Sequence, residues 1–273
     1  MSLNAWGGAV FDQLQAWLPT CGADVLCLQE VTHTAGLDGW THFSDGERAL
    51  PQRADLFADV QRVMPAMAST YAPADAGPVR APGGRVHHQQ FGVATFVERS
   101  IHVVEHRTAF IHGSYVDHAE WTTSDRPRIA LSVRVVDPSS DRRVSIIQLH
   151  GLRDPAGKAD TPARRRQAER IAAFVDDAAE TGDLVVVCGD FNLLPDSTTF
   201  ERLRRVGLTE LVGTADTRTS LYAKPVRHAN YMLISDPQAV VRLDVLATPE
   251  VSDHRPIVLD IAAGELGNAL SPR

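Results

Sequence analysis

The stretch Asp183–Ser197, DLVVVCGDFNLLPDS, decides how the rest of the chain is read. Leu184 to Val187 form an apolar, β-branched run too short for a buried helix, so the pattern predicts a core strand. Gly189 breaks the run and delivers Asp190 and Asn192 onto the turn. Residues two apart in extended chain point the same way, so the carboxylate and the amide are expected to face one site. A Gly-Asp pair after a strand is also a routine turn. What lifts this one above a turn is the company it keeps elsewhere in the chain.

Several other apolar runs end on polar residues. Leu3 to Trp6 read as a short first strand carrying Asn4 and stopped by Gly7-Gly8. DVLCLQE, Asp24 to Glu30, is a buried strand that finishes on an acid, and VSIIQLH, Val144 to His150, finishes on an imidazole. The triplet Ser252-Asp253-His254 stands just before the last strand, PIVLDIA. Taken singly, each is best explained as a turn former or strand terminator. Together, Asn4, Glu30, His150, Asp190, Asn192, Asp253 and His254 supply hard oxygen ligands and two imidazoles. That set suits Mg²⁺ or Mn²⁺ better than Zn²⁺, which favours cysteine or more histidine. Imidazoles beside such a cation orient a phosphate, donate to its oxygens, or move protons.

Between these points, helices are expected over Ala9–Leu18, around Leu56, Val60, Val63 and Met64, over Ala163–Ala179 and over Ser197–Val206. Thr161-Pro162 caps the third, burying Ile171, Phe174 and Val175 and leaving Arg164, Arg165 and Arg166 as a solvated first turn. Further strands are expected at Phe91–Val97, Ile101–Glu105, Arg128–Val136, Ala229–Ser235 and Val240–Leu246. Tyr71 to Gln90, rich in Pro, Gly and Ala, has no period and is expected to be a long loop, with His87 and His88 as solvated surface residues.

With 273 residues, 44% of them hydrophobic, the chain can bury a large core; no repeat or linker divides it, so one domain over residues 1–263 with a frayed tail over 264–273 is expected. A net charge of −7 and a pI near 5.9 argue against a surface that coats polyanions in general. They do not exclude a nucleic-acid substrate, because a bound cation adds charge that a formal count misses. Cys21, Cys27 and Cys188 lack ligand spacing and read as core packing in a reducing compartment. No leader and no membrane-length apolar run is visible, so a cytoplasmic protein without membrane contact, and a monomer, is expected.

The ordered set LNAWGG, DVLCLQEV, IIQLHGL, CGDFNLLPDS, HANYMLIS and VSDHRPIVL, from Asn4 to about Ile261, resembles the endonuclease/exonuclease/phosphatase superfamily. The resemblance implies a four-layered α/β/β/α sandwich: two mostly antiparallel sheets face to face, helices outside, and the site at one rim. It implies that Asn4, Glu30 and Asp253 contact the metal, with Glu30 as principal carboxylate. Asp190 would orient or deprotonate the attacking water and Asn192 would hold the phosphate. His254 would touch the scissile phosphoryl group, and His150 would donate to a phosphate oxygen or assist the leaving group.

One position departs from the pattern. The family usually shows Asp-Tyr where this chain has Asn230-Tyr231. An amide oxygen still accepts from an imidazole N–H but cannot stabilise imidazolium by charge. A comparable exchange in a serine-protease triad costs about 10⁴ in turnover. Either the neutral partner is tolerated, or activity is weakened; the other motif residues favour retained activity. LQEV and LHGL differ from the abasic-site specialists, and neither leader nor exposed apolar hairpin suggests a secreted sphingomyelinase. The expectation is a metal-dependent phosphodiesterase or nuclease with a phosphoester partner, nucleic acid first. A phosphomonoesterase, a small-molecule or lipid-headgroup phosphodiesterase, or a weakened binding protein are the alternatives. Lys158 and Arg164–Arg166 could contact a polyanion, but a solvated helix start explains them at least as well.

Overall fold

The computed structural model describes residues 1–262 except Ser139 and Pro155; the expected tail over 264–273 lies outside the described residues. In chain order the strands are β1 (Ser2–Asn4), β2 (Val25–His33), β3 (Trp40–Ser44), β4 (Ala49–Arg53), β5 (Met67–Arg80), β6 (Val86–Glu98), β7 (His102–His112), β8 (Val116–Asp117), β9 (Arg128–Asp137), β10 (Arg142–His150), β11 (Leu184–Asp190), β12 (Thr209–Glu210), β13 (Asn230–Ile234), β14 (Val240–Val245) and β15 (Ile257–Ile261). The helices are α1 (Phe11–Trp17), α2 (Leu56–Val63), α3 (Pro162–Ala178) and α4 (Thr198–Arg205).

Two mixed sheets result. One runs β14-β15-β1-β2-β6-β5-β3-β4 with β8 beside β5, the other β12-β13-β11-β10-β9-β7. Only β1–β2, β10–β11 and β5–β8 pair in parallel among the described residues. Side-chain alternation explains the layering. On β2, Leu26 and Leu28 face outward and pack with Leu14 of α1 and Leu56 and Val60 of α2. Gln29, on the opposite parity, donates across the gap to Gln148 of β10 at 2.9 Å, and Gln148 donates to Thr95 of β6 at 2.7 Å. These buried amides link the two inner faces within an otherwise apolar interior, where Cys27 and Cys188 also lie. Outside the second sheet, Ile171, Phe174 and Val175 of α3 share an apolar cluster with Ile147, Leu149 and Val187. The architecture is therefore an α/β/β/α sandwich.

The expected loop over Tyr71–Gln90 is instead a hairpin of β5 and β6. Its tip holds Gly83 and Gly84, both at φ near +90° (89° and 87°), which only glycine adopts freely. The small residues that hid β5 have a packing reason, since a Cβ on Gly77 would stand 2.8 Å from the Trp121 ring. Pro73 sits next to a register shift, where a missing N–H is tolerated. His87 and His88 lie on β6, His88 exposed and paired with Asp117 at 2.7 Å. Strands β3, β4, β8 and β12 had no clear sequence pattern. Two further expectations change. Arg164 is buried, donating to Ala159 O at 2.6 Å and Leu152 O at 3.3 Å, so it pins the loop after β10, while Arg165 and Arg166 are exposed. Cys21 is half-buried; Cys27 and Cys188 are buried.

Candidate active site at the sheet rim

Strands β1, β10 and β11 end at one rim and β2 passes through it, and each delivers one polar side chain there. Alternation alone would aim Glu30 outward with Leu26 and Leu28. A β-bulge intervenes. The register with β6 shifts between Gln29 and Val31, Glu30 takes φ +54°, and Val31 resumes the outward position. The extra residue turns the Glu30 carboxylate toward the cavity, a common use of bulges. Strand β2 therefore continues to His33 rather than finishing on the acid.

On β11 the run Val186-Cys188-Asp190 holds one parity, and Asp190 is 1% exposed. Gly189 makes the close pairing with β10 possible: at φ +137° its Cβ would lie 2.0 Å from Leu149 O. Asn192 does not continue the extended chain. It turns left-handed at φ +55°, its N–H donates to Asp190 Oδ1 at 2.9 Å, and its side-chain amide donates weakly to Gly151 O at 3.5 Å. Asparagine tolerates this conformation better than most residues.

The two sheets meet through these groups. Asn4 Nδ2 donates to Glu30 Oε1 at 3.1 Å and to Asp190 Oδ2 at 3.0 Å. Asn4 Oδ1 accepts from the Trp6 N–H at 3.0 Å, so the amide nitrogen rather than the oxygen faces the carboxylates. His150 Nε2 lies 3.7 Å from Glu30 Oε1 and 3.9 Å from Asp190 Oδ2. Ligand atoms of Glu30, His150 and Asp190 all fall within 4.8 Å of one another, a set able to hold a cation. Two carboxylate oxygens and one imidazole, with no thiolate, make a donor set for a divalent cation.

Opposite them stands the Ser252-Asp253-His254 turn. Ser252 Oγ donates to Asn4 O at 2.6 Å and ties the turn to β1. His254 Nε2 is 3.5 Å from Asp190 Oδ2 and 3.7 Å from Asp253 Oδ1. Asn230, paired with Asp190 across β13 and β11, meets His254 Nδ1 through its Oδ1. Arg218, which sequence reasoning missed, meets His254 Nε2 through one guanidinium nitrogen that also donates to Asp253 Oδ2 at 2.8 Å. A guanidinium has no acceptor, so Nε2 accepts, Nδ1 carries the proton, and Nδ1–H donates to Asn230 Oδ1. The relay runs Arg218 to His254 to Asn230, with a neutral imidazole and the cation on Arg218. Arg218 also stacks 3.9 Å from the Tyr222 ring centroid.

Burial sets the electrostatics. Desolvation pushes His254 and His150 well below the usual imidazole range, aided by Arg218 and Lys158 at the first and by Arg128 and Arg126 at the second. Desolvation raises Asp253 to about 7 against the pull of Arg218, with Glu30 and Asp190 adding to the rise. It brings Lys158 down to about 8. All these residues line one cavity of about 480 Å³.

The profile of the Endonuclease/Exonuclease/phosphatase family matches residues 1–254. The chain belongs to that family. Solved structures with the same fold include an endonuclease/exonuclease/phosphatase from Bacteroides vulgatus, at 16% identity and TM-score 0.65, with 96% of this chain and 97% of that one covered. A mannosyl-6-phosphatase from Bacteroides thetaiotaomicron is similar at 15% identity and TM-score 0.62, covering 96% and 98%. The human nocturnin catalytic domain with bound sulfate is similar at 16% identity and TM-score 0.55, covering 94% and 92%. At these identities the likeness shows the fold alone. A sequence search of curated proteins gives no match. Family members are hydrolytic phosphoesterases or nucleases, and no helix among the described residues is long and apolar enough to cross a membrane.

Proposed function

We propose that the chain is a divalent-metal-dependent hydrolase of phosphoester bonds that directs water in line at phosphorus. The observation that carries this reading is the convergence of Glu30 from one sheet with His150 and Asp190 from the other within 4.8 Å, facing His254 across Asp190. Glu30 and Asp190 would hold Mg²⁺ or Mn²⁺, with Asp253 as a further contact and His150 beside them. When bound, the cation supplies charge for the developing phosphoryl oxygens and acidifies water.

The protein groups divide the remaining work. Asp190 Oδ2, within reach of both imidazoles, takes the proton of the attacking water or fixes its direction. The Asn192 amide and His150 donate to phosphoryl oxygens. Asn4 keeps Glu30 and Asp190 from drifting apart by donating to both. Donors fixed in advance stabilise charge that develops in the transition state without reorganising. Asn230 favours a second reading, a binder whose turnover is weakened, because a neutral amide gives His254 no carboxylate partner.

The test is hydrolysis by the purified protein with Mg²⁺ or Mn²⁺ and with chelator, beside Asp190→Ala. Substrates are an aryl phosphodiester, an aryl phosphomonoester, plasmid DNA and single-stranded DNA. Metal-dependent cleavage that disappears in Asp190→Ala is the expected result. Cation binding without turnover on any substrate would favour the binder, and cleavage indifferent to chelator and to Asp190→Ala would defeat both.

A further inference from the structure

The chain is acidic, yet its cavity is not. Eight basic and four acidic side chains line the cavity, while the rest of the chain carries nineteen basic and thirty acidic ones. Most of the cavity's cations are committed within the protein. Arg126 binds Asp75 through two hydrogen bonds of 2.8 and 2.9 Å, Arg48 holds Asp45, and Lys158 Nζ donates to His228 O at 2.5 Å.

Arg128 is different. It opens β9 and is 5% exposed; its side chain makes no hydrogen bond or ion pair with any described residue, and its Nε is sealed from solvent with no acceptor. Burial lowers its pKa to about 10, Arg126 adding to the fall and the carboxylates of Asp75, Glu30 and Asp190 opposing it. A buried arginine side chain whose Nε has no acceptor is costly to the fold, and such groups are rarely kept without an anion to meet them. It also acts on a different imidazole from Arg218. Arg128 is the foremost charge acting on His150, whereas Arg218 and Lys158 act on His254. The cavity thus offers a cation for each imidazole, Arg128 at His150 and Arg218 at His254.

We propose that Arg128 forms a second anion subsite, so that the substrate is a small phosphoester carrying a further oxyanion, phosphate or carboxylate, beside the scissile group. This deepens, and rests on, the phosphoesterase reading above. A long nucleic acid gains affinity from rows of Lys and Arg along its backbone. Here the excess of cations is gathered in one cavity of about 480 Å³, within the range that encloses small molecules, and the rest of the chain is acidic.

The test compares three non-hydrolysable probes by calorimetry on the full chain with Mn²⁺: propylphosphonate, 3-phosphonopropionate and propane-1,3-bisphosphonate. The doubly anionic probes bind the wild type about tenfold or more tightly than propylphosphonate, and Arg128→Met removes most of that gap, as expected for one charge-assisted contact. The tighter of the two identifies carboxylate or phosphate as the second group. Thermal unfolding gives an independent readout. Arg128→Met raises the Tm of the ligand-free protein, because it deletes an unpaired buried cation, whereas a structural arginine would lower it. No gap in the wild type, a gap that survives Arg128→Met, or a lowered Tm overturns the subsite. A single-stranded DNA oligonucleotide that binds more tightly than either small dianion overturns the small-molecule assignment. Absence of hydrolysis in the preceding panel would defeat the phosphoesterase reading separately, since the probe comparison needs no turnover.

Discussion

Replacing Asn230 by Asp, alone and together with Arg218→Met, tests the relay that fixes His254. In the native arrangement Arg218 donates to Nε2 and Nδ1–H donates to Asn230. A carboxylate at position 230 would be fully buried against Nδ1 and would draw a second proton onto the imidazole. The new Nε2–H would then confront the Arg218 guanidinium, donor against donor. One charge-assisted hydrogen bond is lost and a repulsion gained, an effect of about 1.5–3 kcal/mol, or about 10- to 150-fold in rate. Asn230→Asp should therefore lower kcat/KM despite restoring the family's usual acid. Arg218→Met should also lower it, by removing a cation beside His254. In the double variant the imidazolium has its carboxylate and no opposing guanidinium, so the two losses should not multiply. Initial rates on an aryl phosphoester at saturating Mn²⁺, arranged as a double-mutant cycle, read the coupling. If the losses multiply to within about a factor of two, the relay has no energetic meaning and the argument fails.

Three other outcomes are expected. Gly189→Ala forces a Cβ to 2.0 Å from Leu149 O at a φ that disfavours any side chain, so it should cost about 3 kcal/mol or more in denaturant unfolding. Gln148→Leu keeps the volume but strips Gln29 and Thr95 of their shared partner across the sheets, with an expected loss of about 1–3 kcal/mol in the same assay. Lys158 titrates near 8, below the ordinary lysine range because burial disfavours its charge. It is cationic below that value and neutral above it, so affinity for inorganic phosphate should fall between pH 7 and 9, and Lys158→Arg should flatten the fall.

Much of the rim was legible because local rules place it. A strand alternates, a glycine ends it, and a polar residue at the end faces the gap, which is why Glu30, His150 and Asp190 could be named from their own neighbourhoods. The route was imperfect even there. Glu30 reaches the cavity only through a bulge that parity gives no hint of, and Asn192 arrives by a left-handed turn rather than by extension. The cations were less visible. Arg218 joins His254 through a single bridge between segments 36 residues apart, and nothing near Arg218 in sequence marks it. Arg128 heads a recognised strand, but its lack of a partner is a property of the folded interior. β5 was concealed because its prolines and glycines, usual breakers, serve a bulge and a close approach under Trp121.

The amide contacts joining Gln29, Gln148 and Thr95 have a consequence at the rim. Glu30 follows Gln29 on one sheet, and His150 lies two residues beyond Gln148 on the other. The interior link is thus a hinge pin set one step behind the jaws. Sliding or splaying of one sheet against the other would be felt first as a change in the spacing between Glu30 and His150. The gap at the rim is in this sense a caliper reading of the protein's own core, and a swollen or depleted interior would register as an altered site before it registered as unfolding.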